Sequence, residues 1–340
     1  MKLINRRKFI QQAGVLAGSP LVPDRIKAGG KVMTVNGPIP SSDLGLALSH
    51  EHIMVDFIGS GAVSRSRYEA EEVFNAALPK LISARRAGCK SLFECTPAYL
   101  GRDVDLLKRL SAASNLHLIT NTGYYGAAAE KYFPAHVYKE TAKELAQRWI
   151  HEWSTGIDGT GVKPGFIKTG VDTFPLTAAQ QKVIEAAAIT HLATGLTIGI
   201  HTGNGAAAME ELQIIKRQGV SANAWIWIHA QNEKDREFHI RAAREGAWVE
   251  YDNVNAKSKQ QHIDFVVDMK NARLLDHVLI SQDSGWYHVG EKNGGNYNGY
   301  DFIFSEFIPA LRDAGLTGEE INRIFIHNPA NAFSVRIRKV

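Results

Sequence analysis

The chain has 340 residues, of which 44% are hydrophobic and 22% are charged. These proportions are close to the globular average, so they exclude a disordered or fibrous chain and allow a large hydrophobic core. The formal net charge of +4 depends on residues 1–28, which hold six basic residues and one acidic residue. Without that segment the charge would be −1, so the composition does not indicate nucleic-acid binding.

Residues 1–28 have the features of a bacterial twin-arginine (Tat) export signal. Arg6 and Arg7 lie in a basic start, and a mildly apolar stretch follows over residues 13–22. That stretch is too short to span a membrane, so we predict no membrane insertion. We predict that residues 1–28 are the signal, with an open cleavage point, that residues 29–340 form one domain, and that the mature protein is periplasmic or exported. A basic terminus without a targeting role is the alternative.

Eight short apolar runs follow, and amphipathic segments of helical length separate them. One such segment, residues 68–87, ends before Gly88, a natural helix C-cap. Thr177 and Thr317 each begin a capping-box pattern that predicts a helix start. The apolar runs are residues 44–48, 91–95, 116–120, 165–167, 196–200, 224–228, 247–251 and 277–281.

Strands that alternate with helices predict a parallel sheet covered on both faces, and eight such units favour closure into a (β/α)8 TIM barrel. An open doubly wound sheet is the competing fold. No Gly-x-Gly-x-x-Gly follows the first run. Polar residues that could bind a metal or take part in catalysis follow five different runs, and an open sheet would have to gather all of them at one switch point. The barrel is therefore preferred, with a Gly/Asn-rich loop at residues 290–299 after the last strand.

Histidines and one aspartate stand at the ends of these runs. His50 and His52 share a strand face because side chains alternate along a strand, so both imidazoles can reach one ion. His201, His229 and Asp283 end later runs, at the barrel mouth where active sites lie. Each residue alone could be an ordinary polar group at a strand end, but their repetition favours a metal site.

Lys168 ends the fourth run and does not fit this chemistry directly. An ammonium of pKa about 10.4 has no lone pair to offer a metal ion at neutral pH. From the residues alone, a buried or surface lysine paired with a carboxylate is the alternative interpretation.

Taken together, these motifs resemble the phosphotriesterase family of the amidohydrolase superfamily, which includes phosphotriesterases, phosphotriesterase-like lactonases and phosphotriesterase homology proteins. The resemblance extends over residues 32–333. It rests on Leu48-Ser49-His50-Glu51-His52, Gly101-Arg102-Asp103, Asn121-Thr122-Gly123-Tyr124-Tyr125, Gly165-Phe166-Ile167-Lys168, Ile200-His201-Thr202-Gly203, Ile228-His229, Ser281-Gln282-Asp283 and Asn328-Pro329-Ala330.

The resemblance implies a distorted barrel with two divalent ions, in which Lys168 reacts with CO₂ and the resulting carbamate bridges both ions. His50, His52 and Asp283 would hold the more buried ion, and His201 and His229 the more exposed one. A hydroxide shared by the ions would be the nucleophile, and Asp283 would accept its proton. Imidazole and carboxylate ligands suit zinc and would accept cobalt, manganese or iron.

Residues near the mouth are candidates for substrate binding. Tyr125 matches a tyrosine near the metals in lactonase-like relatives, and Trp286 and Tyr287 follow Asp283 closely enough to line a leaving-group pocket. Each could equally be an aromatic residue packed on the barrel rim. Residues 249–253 lack the arginine that the lactonase branch tends to place there, which argues against acyl-homoserine lactones in particular.

The expected activity is metal-dependent hydrolysis of a small carboxylic ester or lactone. A phosphotriesterase is the alternative enzyme, because both reactions pass through an oxyanion beside the ions. A metal-binding barrel without catalysis is the alternative from another class. A homodimer is expected only because relatives often form one.

Overall fold

The computed structural model describes residues 29–340, and the export-signal prediction for residues 1–28 lies outside them. An antiparallel hairpin of β1 (Lys31–Thr34) and β2 (Gly37–Pro40) precedes the barrel. The barrel strands are β3 (Ala47–Glu51), β5 (Ser91–Glu94), β6 (His117–Ile119) with β7 (Asn121–Thr122), β8 (Phe166–Gly170), β9 (Thr197–His201), β10 (Trp225–Ile228), β11 (Trp248–Tyr251) and β12 (Val278–Ile280). At the mouth, β4 (Met54–Val55) pairs with β13 (Tyr287–His288).

Neighbouring barrel strands are parallel and follow chain order, as a (β/α)8 barrel requires. The third strand is divided at Thr120, so β6 pairs with β5 while β7 pairs with β8. None of the helices within residues 29–340 is long and apolar enough to cross a membrane. The α-helices in that range are Ala70–Ala87, Val104–Ser114, Ala142–Thr155, Ala178–Thr194, Gly205–Arg217, Arg236–Arg244, Lys259–Asn271, Ile308–Asp313, Gly318–Asn322 and Asn328–Ala332, with π-helical turns at Ile303–Phe307 and Arg323–His327.

Helix ends lie where the capping residues predict them. The helix Ala70–Ala87 ends at Gly88, whose φ of 117° is easily reached only by glycine. Thr177 and Gln180 form both bonds of a capping box at the start of Ala178–Thr194, and Thr317 and Glu320 do the same for Gly318–Asn322.

The strand boundaries differ from the sequence prediction in a way that affects the site. The first barrel strand is Ala47–Glu51 rather than residues 44–48, because Leu44 belongs to the 3₁₀ turn Ser41–Leu44. The fourth strand is Phe166–Gly170 and extends past residue 167. Ladder hydrogen bonds use the backbone and continue after the last apolar side chain. As a result, His50 and Lys168 lie within strands instead of following them.

The barrel closes where β3 meets β12, a contact line that we call the seam. The Asp283 amide donates to the His50 carbonyl over 3.0 Å, and the His50 amide donates to Ser281 Oγ over 2.9 Å. Glu51 faces away from the imidazoles, and its carboxylate accepts bonds of 2.7 to 2.9 Å from the Ser281 hydroxyl and from two amides of the same segment. Burial raises the pKa of Glu51 to about 8. The residue between His50 and His52 therefore holds the first and last strands together.

His239 provides a test of how the core responds to pH. Its ring is buried against Trp227, Tyr251 and Phe265, and its Nε2 lies 2.8 Å from the Ala230 carbonyl. Burial lowers its pKa from 6.5 to about 4. Between those values the unfolded chain binds a proton that the folded chain does not, so the free energy of unfolding must decrease as the pH falls.

A His239→Gln variant should lack this component. Its free energy of unfolding should fall less between pH 7 and pH 4.5 than that of the wild type, by about 2 kcal/mol. Urea unfolding at several pH values measures the difference. His151→Gln, on the exposed side of its helix, is the matched control. Parallel pH dependence in wild type and His239→Gln would contradict the prediction.

Candidate metal centre

The predicted ligands lie together at the C-terminal mouth of the barrel. The imidazole centroids of His50 and His52 are 5.3 Å apart, those of His50 and His229 are 5.0 Å apart, and those of His201 and His229 are 4.3 Å apart. Lys168 lies on β8, between the strands that carry the other ligands, and is buried. The rule that parallel strands present their carboxyl ends at one face explains how distant positions meet here.

Asp283 faces the histidine pair of the first strand. Its Oδ1 lies 3.2 Å from His52 Nε2 and 3.6 Å from His50 Nε2, and the three residues can offer atoms to a single ion. The Oδ1 atom is buried and makes no hydrogen bond of good geometry. A buried carboxylate oxygen without a donor is costly unless a cation satisfies it. These three residues therefore fit a divalent ion, and they are the set expected for the more buried one.

A second carboxylate, Asp252, lies directly behind the histidines and was not predicted from the sequence. Its Oδ1 lies 2.5 Å from His229 Nδ1, and its Oδ2 lies 3.5 Å from His50 Nδ1. Glu250, two residues earlier on β11, places Oε2 3.3 Å from the same His50 nitrogen. Asp252 thus contacts a ligand of each predicted ion. A usable signal was present, because Asp252 follows the apolar run 247–251 just as His229 follows its own run.

Each of the four histidines has its Nδ1 atom in contact with a neighbouring side chain, which for His201 is the Tyr125 hydroxyl. His52 Nδ1 lies 2.7 Å from Thr96 Oγ1, while the Nδ1 atoms of His50 and His229 face Glu250 and Asp252. The Nε2 atoms of these rings remain for an ion. Contacts of this kind fix the tautomer and orientation of metal-ligating histidines.

Burial sets the charge of the centre. It lowers the pKa of His50, His52 and His201, which keeps these rings neutral as metal binding requires. For His229, burial acts in the same direction, but the Asp252 carboxylate outweighs it and raises the pKa. Burial also lowers the pKa of Lys168, which favours the free amine.

The Lys168 side chain is weakly bonded for a buried cation. Its Nζ donates a long bond of 3.4 Å to the Thr169 carbonyl and lies 5.4 Å from the Tyr125 ring centroid. Among residues 29–340, no carboxylate forms an ion pair with it at 4 Å or less. The pairing interpretation left open by the sequence is therefore not supported, whereas a neutral lysine amine is a suitable group for reaction with CO₂.

The structure places the three predicted substrate residues differently. The Tyr125 hydroxyl lies 3.1 Å from His201 Nδ1, and the Trp286 ring lies 4.0 Å from the His52 ring. Tyr287 points elsewhere, because its hydroxyl donates to Glu72 Oε2 over 3.1 Å. The structure thus brings Tyr125 and Trp286 to the ligands, but gives Tyr287 no described contact with them.

Replacing Asp252 tests whether one carboxylate supports both ions. An Asp252→Ala variant should bind both ions about 10- to 100-fold more weakly, because such supporting contacts commonly contribute that much to metal affinity. Competition with a chromogenic chelator measures the two affinities, and Asp264→Ala on the outer face of Lys259–Asn271 is the control. Weakening of one ion alone would contradict the shared role.

Comparisons with known proteins agree with this geometry. A model of the phosphotriesterase family matches residues 30–333. The chain is 28% identical to the phosphotriesterase homology protein of Escherichia coli over 293 residues, covering 85% of this chain and 98% of the relative. It is 26% identical to the N-acetyltaurine hydrolase of Xenopus tropicalis, covering 88% and 97% of the two chains.

A solved structure extends the agreement to the fold. The crystal structure of the Escherichia coli phosphotriesterase homology protein, complexed with phosphate in its active site, superposes with a TM-score of 0.74 at 26% identity. The match covers 86% of this chain and 99% of the other. The barrel prediction is confirmed, and a site for two metal ions agrees with the family and with the clustered His and Asp side chains. The chain belongs to the phosphotriesterase family and is a hydrolase of that family.

Proposed function

We propose that this protein is a binuclear metal-dependent hydrolase that acts on carboxylic ester or lactone bonds. The observation that carries the proposal is the Asp283 carboxylate, which faces two imidazoles and has a side chain 17% exposed at the mouth. It can therefore both ligate an ion and meet a substrate. A barrel that only stored metal would need no such opening.

His50, His52 and Asp283 would hold one ion, His201 and His229 the other, and carbamylated Lys168 would lie between them. Zinc suits these donors, and cobalt, manganese or iron are the other candidates. When bound, the ions would polarise the substrate oxygen and lower the pKa of water. Asp283 would accept a proton during attack on the carbonyl carbon. The Tyr125 hydroxyl, beside His201, would orient the substrate oxygen.

Two related activities have support from the comparisons. Relatives named N-acetyltaurine hydrolase favour an amide substrate, which reacts at the same type of carbonyl carbon. The phosphate in the active site of the Escherichia coli structure favours a phosphoryl substrate. Because all three substrates form an oxyanion beside the ions, one site can serve each of them to a different degree.

A substrate panel on the zinc-reconstituted full chain distinguishes these activities. We expect the highest kcat/KM for 4-nitrophenyl butyrate or a γ-lactone, and lower values for N-acetyltaurine and paraoxon. Metal removal should abolish every activity, and Asp283→Asn serves as the control for contaminating hydrolases. Faster turnover of N-acetyltaurine would replace the ester proposal by the amide one. Two bound ions without any turnover would support the noncatalytic barrel.

We also propose that residues 1–28 direct export through the twin-arginine route. The support is the Arg6-Arg7 pair and the apolar stretch that follows it. The full chain should be recovered from the periplasm of a host with a working twin-arginine pathway. It should remain in the cytoplasm of a pathway-deficient strain or with Arg6→Lys and Arg7→Lys together. Equal export in all three cases would overturn this assignment.

A further inference from the structure

The loop after Tyr125 contains three successive residues in the left-handed backbone region. Ala128, Ala129 and Glu130 have φ values of 58°, 54° and 63°. None is glycine, and this conformation costs an ordinary residue roughly 1–2 kcal/mol. A run of three therefore needs contacts from outside the loop to maintain it.

Asp172 supplies two of those contacts, to the amides of Ala128 and Ala129. It lies two residues after the end of β8, the strand that carries Lys168. Its Oδ1 accepts a bond of 2.8 Å from the Ala128 amide, and its Oδ2 accepts one of 3.2 Å from the Ala129 amide. Gln180 Nε2 donates to the same Oδ2 over 2.9 Å and to the Gly126 carbonyl over 2.9 Å. One carboxylate thus binds two consecutive amides of the left-handed turn.

The start of this loop is fixed beside the metal centre. The Gly126 amide donates to the Gly170 carbonyl over 3.0 Å, and Tyr125 forms a parallel bridge with Gly170. The Tyr125 ring lies against Gly170 so closely that a Cβ there would come within 2.8 Å of it. This placement keeps the Tyr125 hydroxyl at His201.

The end of the loop reaches the opposite side of the mouth. The Tyr132 ring centroid lies 5.9 Å from that of Tyr125 and 6.1 Å from that of Phe57. Lys131 Nζ donates to the Phe57 carbonyl over 2.6 Å. Phe57 in turn stacks on Trp286, with centroids 5.8 Å apart, and Trp286 contacts His52. The loop therefore completes an aromatic wall from one predicted ion site to the other.

We propose that Asp172 is a positioning residue that holds the left-handed turn and so fixes Tyr125 and Tyr132 in the substrate-facing wall. It does not touch the ligands, and it acts on substrate binding through the loop. This inference rests on the proposed function only in assuming that the wall contacts substrate.

Two variants in the zinc-loaded full chain test the proposal. With 4-nitrophenyl butyrate, Asp172→Ala should raise KM about tenfold or more and change kcat much less, because a displaced wall misplaces the substrate. Its metal content should remain two ions per chain. Asp172→Asn should lie between Ala and wild type, since its amide oxygen can still accept from one N–H. Asp264→Ala should match the wild type.

Hydrogen–deuterium exchange supplies a readout that does not depend on turnover. Amides of residues 126–133 should exchange at least about tenfold faster in Asp172→Ala than in the wild type. If the wild type hydrolyses no substrate, the proposed function fails, while exchange still decides the role of Asp172. Unchanged exchange would overturn the proposal. A fall in kcat at constant KM would also overturn the proposal, as would loss of metal in both Asp172 variants.

Discussion

Replacing Lys168 with alanine should leave the protein with fewer than two ions per chain and reduce kcat/KM by more than about 100-fold. The physical reason is the position of the side chain, which is 2% exposed and has no carboxylate partner among the described residues. A lysine buried in this way is understandable if carbamylation converts it into an anionic ligand. Elemental analysis after zinc reconstitution measures occupancy, and the same ester panel measures turnover.

The carbamate itself has a direct signature. Protein reconstituted with ¹³C-bicarbonate should show a carbamate carbon in its NMR spectrum, and Lys168→Ala should lack it. Lys108→Ala, on the exposed face of Val104–Ser114, is the matched control. Full two-ion occupancy with unchanged activity in Lys168→Ala would refute the carbamate assignment.

Asp283→Asn should lower kcat by about 10²- to 10⁴-fold, the usual contribution of a general base. Burial favours the protonated form of Asp283, but close contacts with the His52, His50 and His229 rings outweigh burial and hold its pKa below the usual range. The native carboxylate is therefore ionised at neutral pH, whereas asparagine keeps the shape and cannot accept the proton.

Because Asp283 is also a predicted ligand, its two roles must be separated. The Asn variant should be assayed at zinc concentrations that restore two-ion occupancy. A rate deficit that persists at full occupancy identifies proton transfer. Recovery of the wild-type rate with saturating zinc would show that Asp283 acts as a ligand alone.

The sequence predicted the fold well because the local and long-range signals agree. Each apolar run overlaps a barrel strand, and the caps at Gly88, Thr177 and Thr317 mark helix ends. Strand boundaries were less accurate, since polar residues such as Lys168 and His201 continue the ladder after the apolar run ends. The first polar residue after an apolar run therefore indicates a candidate site residue, but it does not mark the end of the strand.

The metal centre was predicted only in part. Asp252 and Thr96 contact the histidines that are predicted as ligands. Such partners depend on which ring nitrogen faces which strand, a detail that spacing along the chain does not determine. The direction of the Tyr287 side chain could not be predicted from spacing along the chain either. Residues 287–288 form a short strand against β4, so adjacent side chains point in opposite directions, and Tyr287 turns toward Glu72. A loop, which the sequence predicted for that segment, has no regular alternation from which the direction of each side chain could be assigned.

The position of the seam has a consequence for how the molecule assembles. An ion held by His50, His52 and Asp283 would join the first barrel strand to the residue just beyond the last, and so link distant parts of the chain. Such an ion binds the closed barrel but not one whose final strand has detached. By mass action its binding free energy is added to the stability of the closed form. Chelation should therefore separate β3 from β12 before other barrel strands. The protein would then lose the metal-bound nucleophile and the closure of the barrel together.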